Sequence, residues 1–228
     1  MKKVYIIFTT LLFLISCNQK QELAPYSKNK ETKFSSSKNI FKDSTKVYLS
    51  EKQLLDFIKK TEPFEIKEKL NPPFNTFKFN KVIAYDYEGV EEPYGSVFDI
   101  NHKFIDIIES QKELTKSQTL DLINFLTNTK TYGGSTAACF NPHLGFVFFQ
   151  NNNPVFHMDI CLDCNYLISS QEIPAQKFKK VRDGNGKEVY SLIGFSNYGK
   201  DKIMNLGKQL NLYYGSIKYQ TTSNKINK

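Results

Sequence analysis

Four residues have the types and spacing to do chemistry together: Cys139-x3-His143 and, seventeen residues later, Cys161-x2-Cys164. A zinc ion takes four nitrogen or sulfur ligands at about 2.0–2.3 Å in a tetrahedron, and a Cys3His set of Cys139, His143, Cys161 and Cys164 would meet that need structurally. Cys161 and Cys164 could instead close a disulfide or cycle as a redox couple, leaving Cys139 over. The three thiols could also pack as inert small hydrophobes, since free cysteine is often buried. Zinc, disulfide and packing are three readings of one cluster. The expected function is a binding or structural domain with a structural zinc site, the alternatives being a redox protein using Cys161 and Cys164 or an interaction module with inert cysteines.

The elements around the cluster explain why it would form at all. Leu144 to Gln150 and Pro154 to Cys161 are apolar runs on either side of Asn151-Asn152-Asn153, the pattern of a hairpin. With Gln150 opposite Pro154, His143 faces Cys161 and Cys139 lies beside Cys164 at the open end. A one-residue slip would move the strand residues to the other face. His157 lies four residues before Cys161 on the same strand, about 13 Å away, which makes it a poor fourth ligand. His102 reads as a turn residue.

No acid stands out as a general acid or base: Asp86, Glu88, Asp99, Asp106, Asp159 and Asp163 all look ordinary in context. Asp159 alternates with Cys161, so the two share a strand face. Asp163 lies inside the Cys-x-x-Cys, where a like charge would disfavour a reactive thiolate. There is no Gly-x-Ser-x-Gly, phosphate loop or dinucleotide fingerprint, so the sequence gives no positive sign of an enzyme. Gly133-Gly134-Ser135-Thr136 reads as a turn rather than a ligand cradle, and Tyr132, Tyr198, Tyr213 and Tyr214 are candidates for a binding surface.

The run Ala138-Cys139-Phe140-Asn141-Pro142-His143-Leu144-Gly145-Phe146-Val147-Phe148-Phe149, with Ile160-Cys161-Leu162-Asp163-Cys164-Asn165, resembles a motif pair in uncharacterised lipoproteins of Bacteroidetes-type bacteria. The resemblance is good over about residues 120–215 and implies no established activity.

Elsewhere the pattern predicts an α+β fold, an antiparallel sheet built from hairpins with flanking helices. Ser50-Glu51-Lys52-Gln53 and Thr115-Lys116-Ser117-Gln118 are capping boxes that open helices near 51–61 and 115–128. Val82 to Tyr87 reads as a strand. Val97 to Ile100 and Lys103 to Ile108 read as a strand pair turning at Asn101-His102. Phe178 to Arg182 and Lys187 to Ile193 make a second hairpin around Asp183-Gly184-Asn185-Gly186, and Ser196 starts a last helix.

The N-terminus carries an address. Lys2-Lys3, an apolar run from Val4 to Ile15, and Ser16-Cys17 form a three-part secretory signal, so residues 1–16 are expected to be removed. Leu14-Ile15-Ser16-Cys17 is similar to the lipobox of bacterial lipoproteins, which implies diacylation of the Cys17 sulfur. A covalent lipid at Cys17, such as palmitate, would hold the chain to the cell envelope, and the outer membrane is the expected site. Its apolar run is too short for a spanning helix, which needs about 20 residues.

Residues 17–46 are then a lipidated cysteine and a polar tether, 47–215 a single α+β domain, and 216–228 a polar tail. The formal charge of +8 belongs to the flanks: seven lysines fall in 18–46 and three in the tail, leaving 47–215 at −1. Arg182 is the sole arginine, so the bidentate forks that read phosphate and guanine are nearly lacking and a nucleic-acid partner is not expected. The partners expected are the membrane, through the anchor, and an envelope protein or small molecule that the sequence does not identify.

Overall fold

Two hydroxyl side chains start the first helices. The Ser50 Oγ accepts the Gln53 backbone N–H at 3.4 Å while the Ser50 N–H donates to the Gln53 side chain at 2.9 Å. Thr115 and Gln118 repeat the arrangement at 3.2 and 3.0 Å. Each pair satisfies two backbone groups that a helix start leaves without partners. These contacts come from a computed structural model, which describes residues 46–89, 96–182 and 184–226. The expected signal peptide, Cys17 and all of the tether but Lys46 lie outside the described residues.

In chain order the elements are α1 (Glu51–Lys60), β1 (Lys81–Tyr87), β2 (Ile108–Glu113), α2 (Lys116–Leu126), β3 (Tyr132–Gly134), β4 (Leu144–Gln150), β5 (Asn153–Cys161), β6 (Tyr166–Ser169), β7 (Phe178–Arg182), β8 (Glu188–Leu192), β9 (Gly194–Phe195), α3 (Asn197–Gln209) and α4 (Ile217–Ile226). Short 3-10 turns occupy Thr129–Thr131 and Tyr213–Gly215. The main sheet has five strands in the order β2-β1-β4-β5-β6, with every pairing antiparallel. Two small ribbons, β3-β9 and β7-β8, lie outside it. The fold is thus α+β with an antiparallel sheet. No helix among the described residues is long and apolar enough to cross a membrane.

Both faces of the sheet are covered, which is why Val82 to Tyr85 and Leu144 to Phe149 are apolar without alternation. One face presents Val82, Ala84, Phe146, Phe148, Phe156, Met158 and Ile160 to the main core, with Leu122 and Phe125 of α2 and Ile203 of α3. Phe74, Phe77 and Phe79 close that core from the loop before β1; the Phe148 ring lies 5.0 Å from Phe79 and 5.2 Å from Phe156. The opposite face carries Tyr85, Tyr87, His157 and Asp159 and is covered by the 97–107 segment. There Phe104 packs on Tyr85 at 5.1 Å and Phe98 meets His157 edge-on at 5.3 Å.

The β4–β5 hairpin turns at Asn151 and Asn152, both with positive φ (51° and 70°), a conformation Asn tolerates better than most residues. Near the turn Gln150 pairs with Asn153, one residue tighter than the sequence suggests. A bulge between Phe148 and Phe149 absorbs the difference, so that Val147 pairs with His157 and Leu144 with Ile160, the expected register.

Two expectations change. The 97–108 strand pair shrinks to one bridge, Phe98 with Phe104, turning at His102 (φ 60°). The regular strand is the polar β2, an edge strand paired only with β1, so its outer side tolerates Glu, Lys and Gln. Within the expected polar tail, 216–228, residues Ile217–Ile226 form α4. Ser216 caps it through its Oγ, which accepts the Tyr219 N–H at 3.2 Å, and Tyr219 is buried.

Candidate functional site

β5 ends in Cys161, and the chain turns through Leu162, Asp163 and Cys164 into β6. Asn165 takes a positive φ (64°) to complete the turn, and its N–H donates to the Leu162 carbonyl at 3.2 Å. This tight turn brings the two cysteine Cα atoms to 5.2 Å, and their sulfurs form a disulfide. Both residues are buried, Cys161 at 0% and Cys164 at 1% exposure.

The Asn165 side chain fixes the turn to its surroundings. Its Nδ2 donates to the Ser135 carbonyl at 2.7 Å and to the Phe195 carbonyl at 3.0 Å. β3 and β9 can approach so closely because Gly134 and Gly194 have no side chain: a Cβ on Gly194 would lie 2.3 Å from the Asn165 carbonyl. Gly133-Gly134 is therefore strand and close contact as well as chain break.

The 135–143 segment, without regular structure, lies along this turn. The Ala137 N–H donates to the Cys164 carbonyl at 2.9 Å, and the Tyr166 hydroxyl donates to the Cys139 carbonyl at 3.1 Å. The Phe140 and Tyr166 rings meet at 4.9 Å. These contacts place the exposed Cys139 thiol 3.4 Å from the Cys164 sulfur. The sulfurs also receive backbone donors: Cys164 N–H to Cys161 Sγ at 3.0 Å, and Asn141 N–H to Cys164 Sγ at 3.3 Å.

His143 faces differently. The Gly89 N–H points at its Nδ1 from 3.1 Å, and the Tyr87 carbonyl lies 3.3 Å from the same atom. The ring stacks on Tyr213 at 4.4 Å. Burial holds its pKa below the usual histidine value, against the opposing field of Asp163. Of the four expected zinc ligands, three sulfurs converge while the imidazole has its Nδ1 occupied by the β1 end. With the disulfide closed, Cys161 and Cys164 carry no thiolate for a metal. No group of three or more His, Cys, Asp or Glu able to hold a metal ion occurs among the described residues.

Beside this cluster is an acid that looked ordinary in the sequence. Asp86 is pushed up to about 7, chiefly by burial. Its Oδ2 accepts the Tyr213 N–H at 2.9 Å, while its Oδ1 has no hydrogen-bond partner. The available sign was a lone carboxylate in an otherwise apolar strand. Asp159 is buried too, and its Oδ1 accepts from the Tyr87 hydroxyl at 2.7 Å and the Val97 N–H at 2.8 Å. His157 Nδ1 lies 3.4 Å from the other Asp159 oxygen. Of the four candidate surface tyrosines, Tyr132 and Tyr214 are buried, and only Tyr198 and Tyr213 reach solvent.

No protein-family model matches this chain, and no curated protein or solved structure shows significant similarity to it.

Proposed function

We propose that the chain is a cell-envelope lipoprotein, anchored through Cys17, whose domain takes part in thiol–disulfide exchange at Cys139, Cys161 and Cys164. The observation that carries this reading is the 3.4 Å contact between the free Cys139 sulfur and Cys164, a member of the disulfide. Exchange proceeds by attack of a thiolate on a disulfide sulfur, so a thiol held against a disulfide is the arrangement that reaction needs. An exported location is also one where disulfides persist. Backbone N–H groups aimed at sulfur favour thiolate over thiol at the moment of exchange.

The Cys3His zinc centre is the second reading, and it applies to the reduced chain. The convergence of three sulfurs favours it; the orientation of His143 does not. Titration in glutathione buffers, followed by mass spectrometry of alkylated protein, separates the two. Exchange requires one reversible two-electron couple within the range those buffers span. Elemental analysis of the reduced chain, purified without added metal, would reveal one zinc per molecule if the metal reading holds.

A further inference from the structure

The sulfurs differ in access. Cys161 and Cys164 are closed off at 0% and 1% exposure, whereas Cys139 is exposed. An external thiol cannot reach either sulfur of the disulfide without opening the turn, but it can reach Cys139. We infer that Cys139 is the port through which the buried disulfide exchanges with thiols outside, with Cys164 as the central sulfur that passes between two partners. This inference rests on the exchange reading above.

In the first step the Cys139 thiol gives its proton to solvent, and its thiolate attacks Cys164 Sγ. The Cys161–Cys164 bond breaks, a Cys139–Cys164 bond forms, and Cys161 departs as a thiolate that then takes a proton. Two features prepare that departure. The Cys164 backbone N–H already points at Cys161 Sγ from 3.0 Å, so a donor meets the charge as it forms. The Asn141 N–H directed at Cys164 Sγ from 3.3 Å holds the Cys139 segment against its target. No net oxidation occurs in this step.

The new disulfide has one exposed sulfur. An incoming thiol attacks Cys139, forming a mixed disulfide and releasing Cys164. A second thiol resolves it, leaving Cys139 reduced and the two incoming thiols joined. Two electrons have then passed from the thiols to a disulfide they could not touch. Run in reverse, the same route oxidises an external thiol pair.

The swap also changes what the bond crosslinks. Cys161 and Cys164 are 3 residues apart, whereas Cys139 and Cys164 are 25 apart. The longer loop removes more freedom from the unfolded chain, so the swapped form should unfold at higher temperature.

The test uses the full chain in detergent, with dithiothreitol as the thiol. Under native conditions Cys139→Ser and Cys139→Ala should each slow reduction of the disulfide at least tenfold. In guanidinium the variants and the wild type should reduce at the same rate. Cys161→Ser, oxidised and mapped by peptide mass, should contain a Cys139–Cys164 disulfide. Native reduction of both Cys139 variants at the wild-type rate would overturn the port. So would a Cys161→Ser chain that keeps two free thiols after oxidation. Failure of the underlying exchange reading looks different: the wild-type disulfide would not respond to glutathione buffers, while the dithiothreitol comparison would still read the role of Cys139.

Discussion

Tyr213 donates its backbone N–H to the Oδ2 of Asp86 at 2.9 Å, joining the turn after α3 to β1. That bond favours the carboxylate, yet burial outweighs it and raises Asp86 from 3.8 to about 7. Between those values the folded chain holds a proton that the unfolded chain has released. Stability therefore falls as pH rises through this window, and the penalty is complete above about 7. Each tenfold change in proton affinity is worth ~1.4 kcal/mol, so the loss is at most about 4 kcal/mol. Asp86→Asn should remove this slope and be more stable than wild type at pH 8. His143 contributes in the opposite sense: its lowered pKa costs stability as pH falls below the ordinary histidine value. Thermal midpoints of both chains from pH 5 to 8 isolate the Asp86 part as their difference, and parallel curves would refute it.

Asn165 does two jobs, and two substitutions separate them. Asn165→Gly keeps the positive φ but loses the bonds to Ser135 and Phe195, at about 1–3 kcal/mol. Asn165→Ala loses the bonds and keeps a Cβ in the left-handed region without the polar side chain that lets Asn tolerate it, adding roughly 1 kcal/mol relative to Gly. Urea denaturation should therefore rank wild type, Gly, then Ala; equal values for the two variants would show that backbone conformation does not matter there.

Tyr219 tests whether the C-terminal helix belongs to the domain. It is buried against Tyr213 at 5.3 Å and Tyr214 at 4.8 Å. Tyr219→Ala should cost about 2–4 kcal/mol in chemical denaturation. A value within about 0.5 kcal/mol, the range of surface changes, would mean the segment is a tail after all.

Cys17→Ala bears on the anchor. It should abolish incorporation of a fatty-acid label and move the chain from the membrane fraction to the soluble one. Labelling and retention unchanged from wild type would end the lipoprotein reading.

The parts of the fold that were legible in the sequence are those fixed by local chemistry. Ser50 and Thr115 announce their helices because capping needs a hydroxyl and a glutamine three residues on. The β4–β5 register follows from its Asn turn and carries Cys139 toward Cys164, although the bulge at Phe148 and Phe149 was not visible. What was hidden depended on distant partners. β2 beyond Ile108 has no apolar alternation, and its pairing depends on β1. Asp86 is set apart in the sequence only by its apolar neighbours, and its burial depends on Tyr213 and the residues around it. α4 has no strong apolar stripe, and Tyr219 finds its place only because two other tyrosines are already there. The disposition of His143 depends on Gly89, which no spacing rule connects to it.

Three contacts at the edge of the sheet fix where the described chain begins. Lys46, the first described residue, reaches Glu109 at 2.7 Å and Glu88 at 3.6 Å, and Leu49 donates its N–H to Ile108 at 2.7 Å. Those acids flank the β1–β2 end where Tyr87 pairs with Ile108, the end at which His143 meets β1 and β5 runs into Cys161. The chain thus enters the domain at its sulfur pole, three strand spacings from β5, or roughly 15 Å. The Asn151–Asn152 turn marks the opposite pole. Under the proposed anchor and exchange, the attachment would leave the domain from the end of the sheet that carries its cysteines.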